Sequence, residues 1–188
     1  MNLYINACVR AGSRTEMLAD HLLKKLEGPT CELRLGDMVF PVADEEFLRR
    51  RDGFIASGDF DDPMFAPAKQ FAKADRIVIA APFWDLSFPA AVKQYFEQIN
   101  VSGLTFEYTA EGYPRGLCSA KSLYYVTTAG GCFFPQEYGF GYVATLAGSF
   151  YGIQDVRLIK ALGLDIEGAD VEAILSQAMG EIDDMFSK

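Results

Sequence analysis

The residues best suited to chemistry in this chain could grip an anion and a flat ring side by side. Arg10-Ala11-Gly12-Ser13-Arg14-Thr15 joins two guanidinium groups, two hydroxyls and a glycine, just ahead of a periodic apolar segment. At a helix N-terminus such groups add to unpaired backbone N–H donors and the positive end of the helix dipole, which bind phosphate-like anions. Ser and Thr also serve as plain helix caps, so the two arginines are what turn the reading toward an anion. A second stretch, Ala81-Pro82-Phe83-Trp84-Asp85-Leu86-Ser87-Phe88-Pro89, holds the one tryptophan of the sequence. Its aromatics could stack on a planar ring whose edge meets the loop backbone, or could simply plug the top of a core. A third, Thr127-Thr128-Ala129-Gly130-Gly131, ends in glycines that allow close backbone approach.

Each of the three stretches follows a run that reads as a buried strand: Leu3 to Ala7, Arg76 to Ala81 and Ser122 to Thr127. Helical patterns come after them, with Leu18, Leu22 and Leu26 on one face, then Pro89 to Ile99, then Tyr142 to Tyr151. Gly28-Pro29 stops the first helix, and Cys31 to Leu35 alternates as an edge strand does. A charged segment runs from Asp44 to Ile55, and Asp62-Pro63 gives an N-cap and first-turn proline for a helix to about Ala74. Leu104 to Tyr108 and the turn from Gly112 to Gly116 read as an excursion from the sheet. Val156 to Ala161 supplies the fifth strand, and Asp170 caps the last helix, to Phe186. Five strand–helix alternations call for an α/β fold with a five-stranded parallel sheet covered on both faces. The expectation is a flavodoxin-like doubly wound sheet of order 2-1-3-4-5, a single domain over residues 1–188. In that order the loops after strands one, three and four meet at the switch point, where flavodoxins hold FMN.

Composition narrows the partners. A formal net charge of −9 disfavours nucleic acid and anionic membrane surfaces, both of which are held by excess Lys and Arg. No apolar run approaches the roughly 20 residues of a membrane span, and a strand beginning at Asn2 leaves no room for a leader, so a cytoplasmic protein is expected. Cys8, Cys31, Cys118 and Cys132 are scattered, without a C-x-x-C pair, and read as free thiols; with His21 the one histidine, no metal site is expected. His21 reads as an ordinary residue of the first helix. Cys8-Val9-Arg10-Ala11-Gly12-Ser13-Arg14-Thr15 also fits C-x5-R-[ST] and resembles the phosphate loop of low-molecular-weight protein tyrosine phosphatases. That resemblance makes Cys8 a nucleophile, with its thiolate stabilised by Arg14 and the loop amides. Asp62-Pro63 is the sole Asp-Pro pair to offer as its general acid, and it lies in mid-chain rather than late in the sequence as in that family.

Three blocks together resemble the FMN-dependent NADH:quinone oxidoreductases that include the bacterial azoreductases. They are the Ser13-Arg14-Thr15 turn, the Pro82 to Ser87 loop with its Lys93-Gln94-Tyr95-Phe96 helix, and Thr105 to Thr109 with Gly112 and Gly116-Leu117. Thr127 to Gly131 and Gly152-Ile153-Gln154-Asp155-Val156 follow in the family's order. The resemblance implies a homodimer binding FMN, with NADH or NADPH as donor and a quinone, azo compound or other flat small molecule as acceptor. Ser13 and Thr15, with Arg10 or Arg14 adding charge, would hold the FMN phosphate. Pro82, Phe83, Trp84, Asp85 and Leu86 would border the ring, and Thr128, Ala129, Gly130 and Gly131 would approach its pyrimidine side. No catalytic side chain is implied, because FMN carries the chemistry. Asp85 departs from the family, where Asn is usual: an acceptor-only carboxylate replaces an amide that can donate. Cys132-Phe133 replaces a region where relatives often carry a histidine. A non-enzymatic electron carrier of flavodoxin type is the other reading that this fold and acidic charge allow.

Overall fold

The computed structural model describes residues 1–187. Its elements begin β1 (Asn2–Asn6), α1 (Arg14–Leu23), β2 (Thr30–Arg34), α2 (Glu45–Ser57), α3 (Ala66–Lys73), β3 (Arg76–Ala80) and α4 (Ala90–Ile99). They continue with β4 (Phe106–Tyr108), β5 (Pro114–Gly116), β6 (Ser122–Thr128), α5 (Phe140–Leu146), β7 (Asp155–Ala161) and α6 (Val171–Phe186). The main sheet is parallel throughout, in the order β2-β1-β3-β6-β7, which is the expected 2-1-3-4-5 once the β4–β5 hairpin is set aside.

Side chains alternate across the sheet and sort the core into two layers, as a strand's period of two requires. Leu3, Ile5, Ile77, Ile79, Leu123 and Tyr125 pack on the side covered by α3, α4 and α5. Tyr4, Val78, Tyr124, Val126 and Ile159 pack on the side covered by α1 and α6, against Leu18, Leu22, Leu175 and Ile182. The central strands are buried on both faces, whereas β2 alternates between exposed and half-buried, as expected of an edge.

The expected N-caps form at the helix starts. Asp62 accepts from the Met64 N–H (3.0 Å) at the tight turn Pro63–Phe65 that leads into α3, and Asp170 from the Ala173 N–H (3.0 Å). Asp44, not singled out in the sequence, caps α2 in the same way by accepting from the Phe47 N–H (2.8 Å). The segment expected as one helix from Tyr142 to Tyr151 begins two residues earlier and closes on a wider π turn, Ala147–Tyr151, that ends at Gly152 in the left-handed region (φ 77°). The excursion between α4 and β6 is the antiparallel β4–β5 hairpin, seated on that π turn with Phe106 and Phe150 ring centroids 4.7 Å apart.

Candidate functional site

The carboxyl ends of β1, β3 and β6 open on one cleft of about 370 Å³. Val9 to Thr15 form one side, Pro82, Phe83 and Trp84 another, and Thr128, Gly130 and Asp165 close it. The volume suits a small-molecule site, and the position is the switch point of the sheet.

Local folding explains the anion side. Chain reversal at Gly12 (φ 70°) brings Ser13 to the N-cap of α1, where its hydroxyl accepts from the Glu16 N–H at 3.4 Å. The backbone N–H groups of Val9 to Thr15 have no hydrogen-bond partner among the described residues. They line the cleft beside the helix dipole, so this loop meets the chemical demand of a phosphate. Arg10 is exposed and forms no ion pair among the described residues. Arg14 is differently placed: its Nη2 donates to Asp165 (2.7 Å) and its Nη1 to the Leu164 carbonyl (2.8 Å). The Thr15 hydroxyl is buried and shared with that of Thr128 at 2.7 Å, which leaves the Thr15 backbone N–H as its free donor.

The ring side is held by extending the β3–β6 pairing past the strand end. Ala81 and Phe83 donate to the Val126 and Thr128 carbonyls at 2.9 and 3.0 Å. The chain then reverses between Trp84 and Ser87, which exchange both backbone hydrogen bonds (3.1 and 2.8 Å), with Asp85 (φ 49°) and Leu86 (φ 70°) both left-handed. That is the φ pattern of a type I′ turn, usually built from Asn and Gly, and Leu is an unfavourable residue there. The Ser87 hydroxyl ties the turn down by donating to the Tyr138 carbonyl at 2.6 Å. Trp84 remains 38% exposed at the cleft, so its indole is no buried plug, while Phe83 packs against Phe134 with centroids 4.8 Å apart.

Of the residues singled out in the sequence, Arg10, Ser13, Arg14, Thr15, Pro82, Phe83, Trp84, Thr128 and Gly130 line the cleft together. Asp85 and Leu86 sit at the exposed tip of the turn; Ala129, which is buried, and Gly131, which is exposed, flank Gly130 without lining the cleft. Their carbonyls accept from Leu164 (3.2 Å) and Gly163 (3.1 Å), stitching the loop to the one after β7. Asp165 was missed in the sequence. It follows the last strand at its carboxyl end, and that position was the available signal. A Cβ on Gly130 would overlap its carboxylate, so the glycine makes room for Asp165.

Cys8 does not form a nucleophile in this arrangement. It is buried, with Sγ 3.9 Å from the Ala80 carbonyl, and burial pushes its thiol up to about 11 despite the Ser13 hydroxyl pulling the other way. At neutral pH it is a thiol, so the thiolate that phosphatase chemistry requires is absent. In the native protein, iodoacetamide at pH 8 is expected to label exposed Cys132 first and Cys8 only after unfolding; peptide mass mapping that finds Cys8 alkylated first would contradict this. His21 pairs with Asp183 (2.7 Å) on the seam between α1 and α6 and is not among the cleft residues.

Comparison with known proteins agrees with this geometry. A family model described as the flavodoxin-like fold matches residues 2–186. The FMN-dependent NADH:quinone oxidoreductase of Lachnoclostridium phytofermentans is 40% identical over 183 aligned residues, covering 91% of this chain and 90% of the relative. A Clostridium perfringens protein of the same name is 36% identical over 179, covering 90% and 89%. The crystal structure of an azoreductase from Bacillus anthracis shares the fold, with a TM-score of 0.83 at 24% identity over 98% of this chain and 97% of that one. Likeness at this level, sustained along nearly the whole length of chain and relative alike, shows that the chain belongs to the FMN-dependent NADH:quinone oxidoreductase family of flavodoxin-like fold.

Proposed function

We infer that this chain is an FMN-dependent NAD(P)H oxidoreductase that reduces quinones, azo compounds or similar flat acceptors. The observation that carries the reading is the cleft itself, where unpartnered backbone N–H groups at the start of α1 lie across from the exposed face of Trp84. One end suits a phosphate and the other a planar ring, as FMN requires. The names of the relatives at 36–40% identity support the same cofactor and favour NADH as donor.

In this reading the N–H groups of residues 9–15 and the Ser13 hydroxyl hold the phosphate, and Arg10 adds the free positive charge. Pro82, Phe83 and Trp84 border the ring, with Asp85 and Leu86 shaping the turn that presents them. Thr128 and Gly130 meet its pyrimidine side, with Ala129 and Gly131 holding that loop in place. Bound FMN supplies two-electron chemistry, so that NADH, a proton and a quinone become NAD⁺ and a hydroquinone. The chain binds, orients and partly desolvates; no side-chain acid or base is assigned. A donor and an acceptor that use one open slot in turn give ping-pong kinetics.

The whole chain acts as one cytoplasmic domain. Among the described residues no helix is long and apolar enough to cross a membrane. We further infer a homodimer, supported by exposed Tyr108, Tyr113, Phe133 and Tyr138, aromatics of a kind that interfaces cover.

FMN-loaded protein is expected to show a flavin spectrum, bleach with NADH and consume NADH continuously with a quinone. Turnover that appears only on adding a separate reductase would favour the electron carrier. Trp84→Ala is expected to weaken FMN binding about tenfold with little loss of folding stability, since a half-exposed indole gives the fold little but can contribute up to about 1.5 kcal/mol to a stacked ring. Flavin fluorescence titration beside a thermal melt checks it, and unchanged FMN affinity would remove Trp84 from the site.

A further inference from the structure

Among the described residues, Arg14 and Asp165 form the one ion pair between residues that line the cleft, and their arrangement is unusual for an anion site. The guanidinium nearest the helix N-cap does not face the cleft free: one arm is held by the Asp165 carboxylate at 2.7 Å, the other by the Leu164 carbonyl at 2.8 Å. Asp165 meets Gly130 through both its backbone and its side chain. Its N–H donates to the Gly130 carbonyl at 3.0 Å, and its carboxylate lies over the Gly130 Cα in space that any larger residue would fill. Gly130, Arg14 and Asp165 therefore form a closed set, and all three line the cleft.

We propose that Asp165 sets the charge of the phosphate cradle by neutralising Arg14, and so limits affinity for the phosphate group without touching recognition of the ring. This rests on the FMN reading above. The pair contributes no net charge, which leaves Arg10 as the free cation beside the backbone donors. A phosphate monoester carries close to two negative charges at neutral pH, so one unit of charge added or removed nearby acts on it strongly. Both side chains are partly solvated (31% and 66% exposed), so the effect is moderated by water and by salt. Asp165 is a specificity-determining residue in this sense: it tunes phosphate binding against binding of a phosphate-free ring.

The test is a set of four full-length proteins, stripped of flavin and titrated with FMN and with riboflavin by fluorescence quenching. If charge governs, Asp165→Asn binds FMN about fivefold more tightly than wild type, and Arg14→Gln about fivefold more weakly. The double variant, again neutral, returns close to wild type. Riboflavin affinity stays level across the set, and the FMN differences shrink at high salt. A merely structural pair gives another order, with all three variants weaker and both flavins affected alike. FMN binding that falls in Asp165→Asn, or that fails to recover in the double variant, overturns the proposal. So does riboflavin binding that moves in step with FMN. Wild type that takes up neither flavin would remove the FMN reading and this inference together, whereas wild type that binds FMN while the variants break the order removes this inference alone. Asp165→Asn keeps the side-chain shape and the backbone bond to Gly130, and a thermal melt of each flavin-free protein confirms that the four are compared as folded molecules.

Discussion

Gly116→Ala is expected to lower the melting temperature by roughly 6–12 °C, the shift that about 3 kcal/mol produces in a chain of this size. Gly116 ends β5, where the hairpin meets the last turn before β7. A Cβ there would overlap the Gly152 nitrogen and the Tyr151 carbonyl group, both of them backbone atoms. Relief cannot come from rotating a side chain. Gly152 is held at φ 77° at the end of the π turn, and Tyr151, which is buried, donates its hydroxyl to Asn100 at 2.6 Å. The hairpin must therefore lift off, uncovering the ring contact between Phe106 and Phe150, and over-packing of this kind falls at or above the top of the usual 1–3 kcal/mol range. Gly116 does not line the cleft, so the folded fraction is expected to bind FMN as wild type does. Circular dichroism melts check the first part and fluorescence titration the second; a melting temperature within 2 °C or so of wild type would show that the close approach relaxes freely.

Ser13→Asp is expected to abolish practical FMN binding, by at least about a hundredfold, while leaving the fold intact or slightly more stable. The Ser13 hydroxyl caps α1 by accepting from Glu16, and an aspartate performs that task equally well while complementing the helix dipole. What changes is the charge facing the cleft. A fixed carboxylate would occupy the place of the bound anion and take the free N–H donors that it needs. Loss of affinity without loss of stability separates a binding role from a folding role, which truncation to alanine would blur. Equilibrium titration with FMN and a flavin-free melt measure the two quantities, and an affinity within tenfold of wild type would place the phosphate elsewhere.

Much of the scaffold was legible because it rests on period and order. Four apolar strands and one alternating strand, each divided from the next by a helical pattern, allow few arrangements besides 2-1-3-4-5, and that order alone brings residues 10–15, 82–84, Thr128 and Gly130 to one crevice. What could not be read were the contacts between those loops. Arg14 looked like a free phosphate ligand because its partner, Asp165, lies 151 residues away in sequence, and nothing local announces an ion pair of that range. Cys8 matched a nucleophile's spacing, yet spacing carries no information on the burial that keeps its thiol protonated. The left-handed pair at Asp85 and Leu86 was hidden for the opposite reason: Asp tolerates that region, but Leu86 stands where such a turn normally has Gly, so the pair carries no turn signature.

That turn has a consequence for how a ligand is received. Two successive residues in an unfavourable backbone region persist only where their surroundings allow no other choice, and here the Trp84–Ser87 bonds and the Ser87 link to Tyr138 supply that constraint. The loop's ordering is therefore completed when the chain folds, not when a ligand arrives. Little of the cost of ordering this loop is then left for a ligand to meet, which favours affinity at this wall.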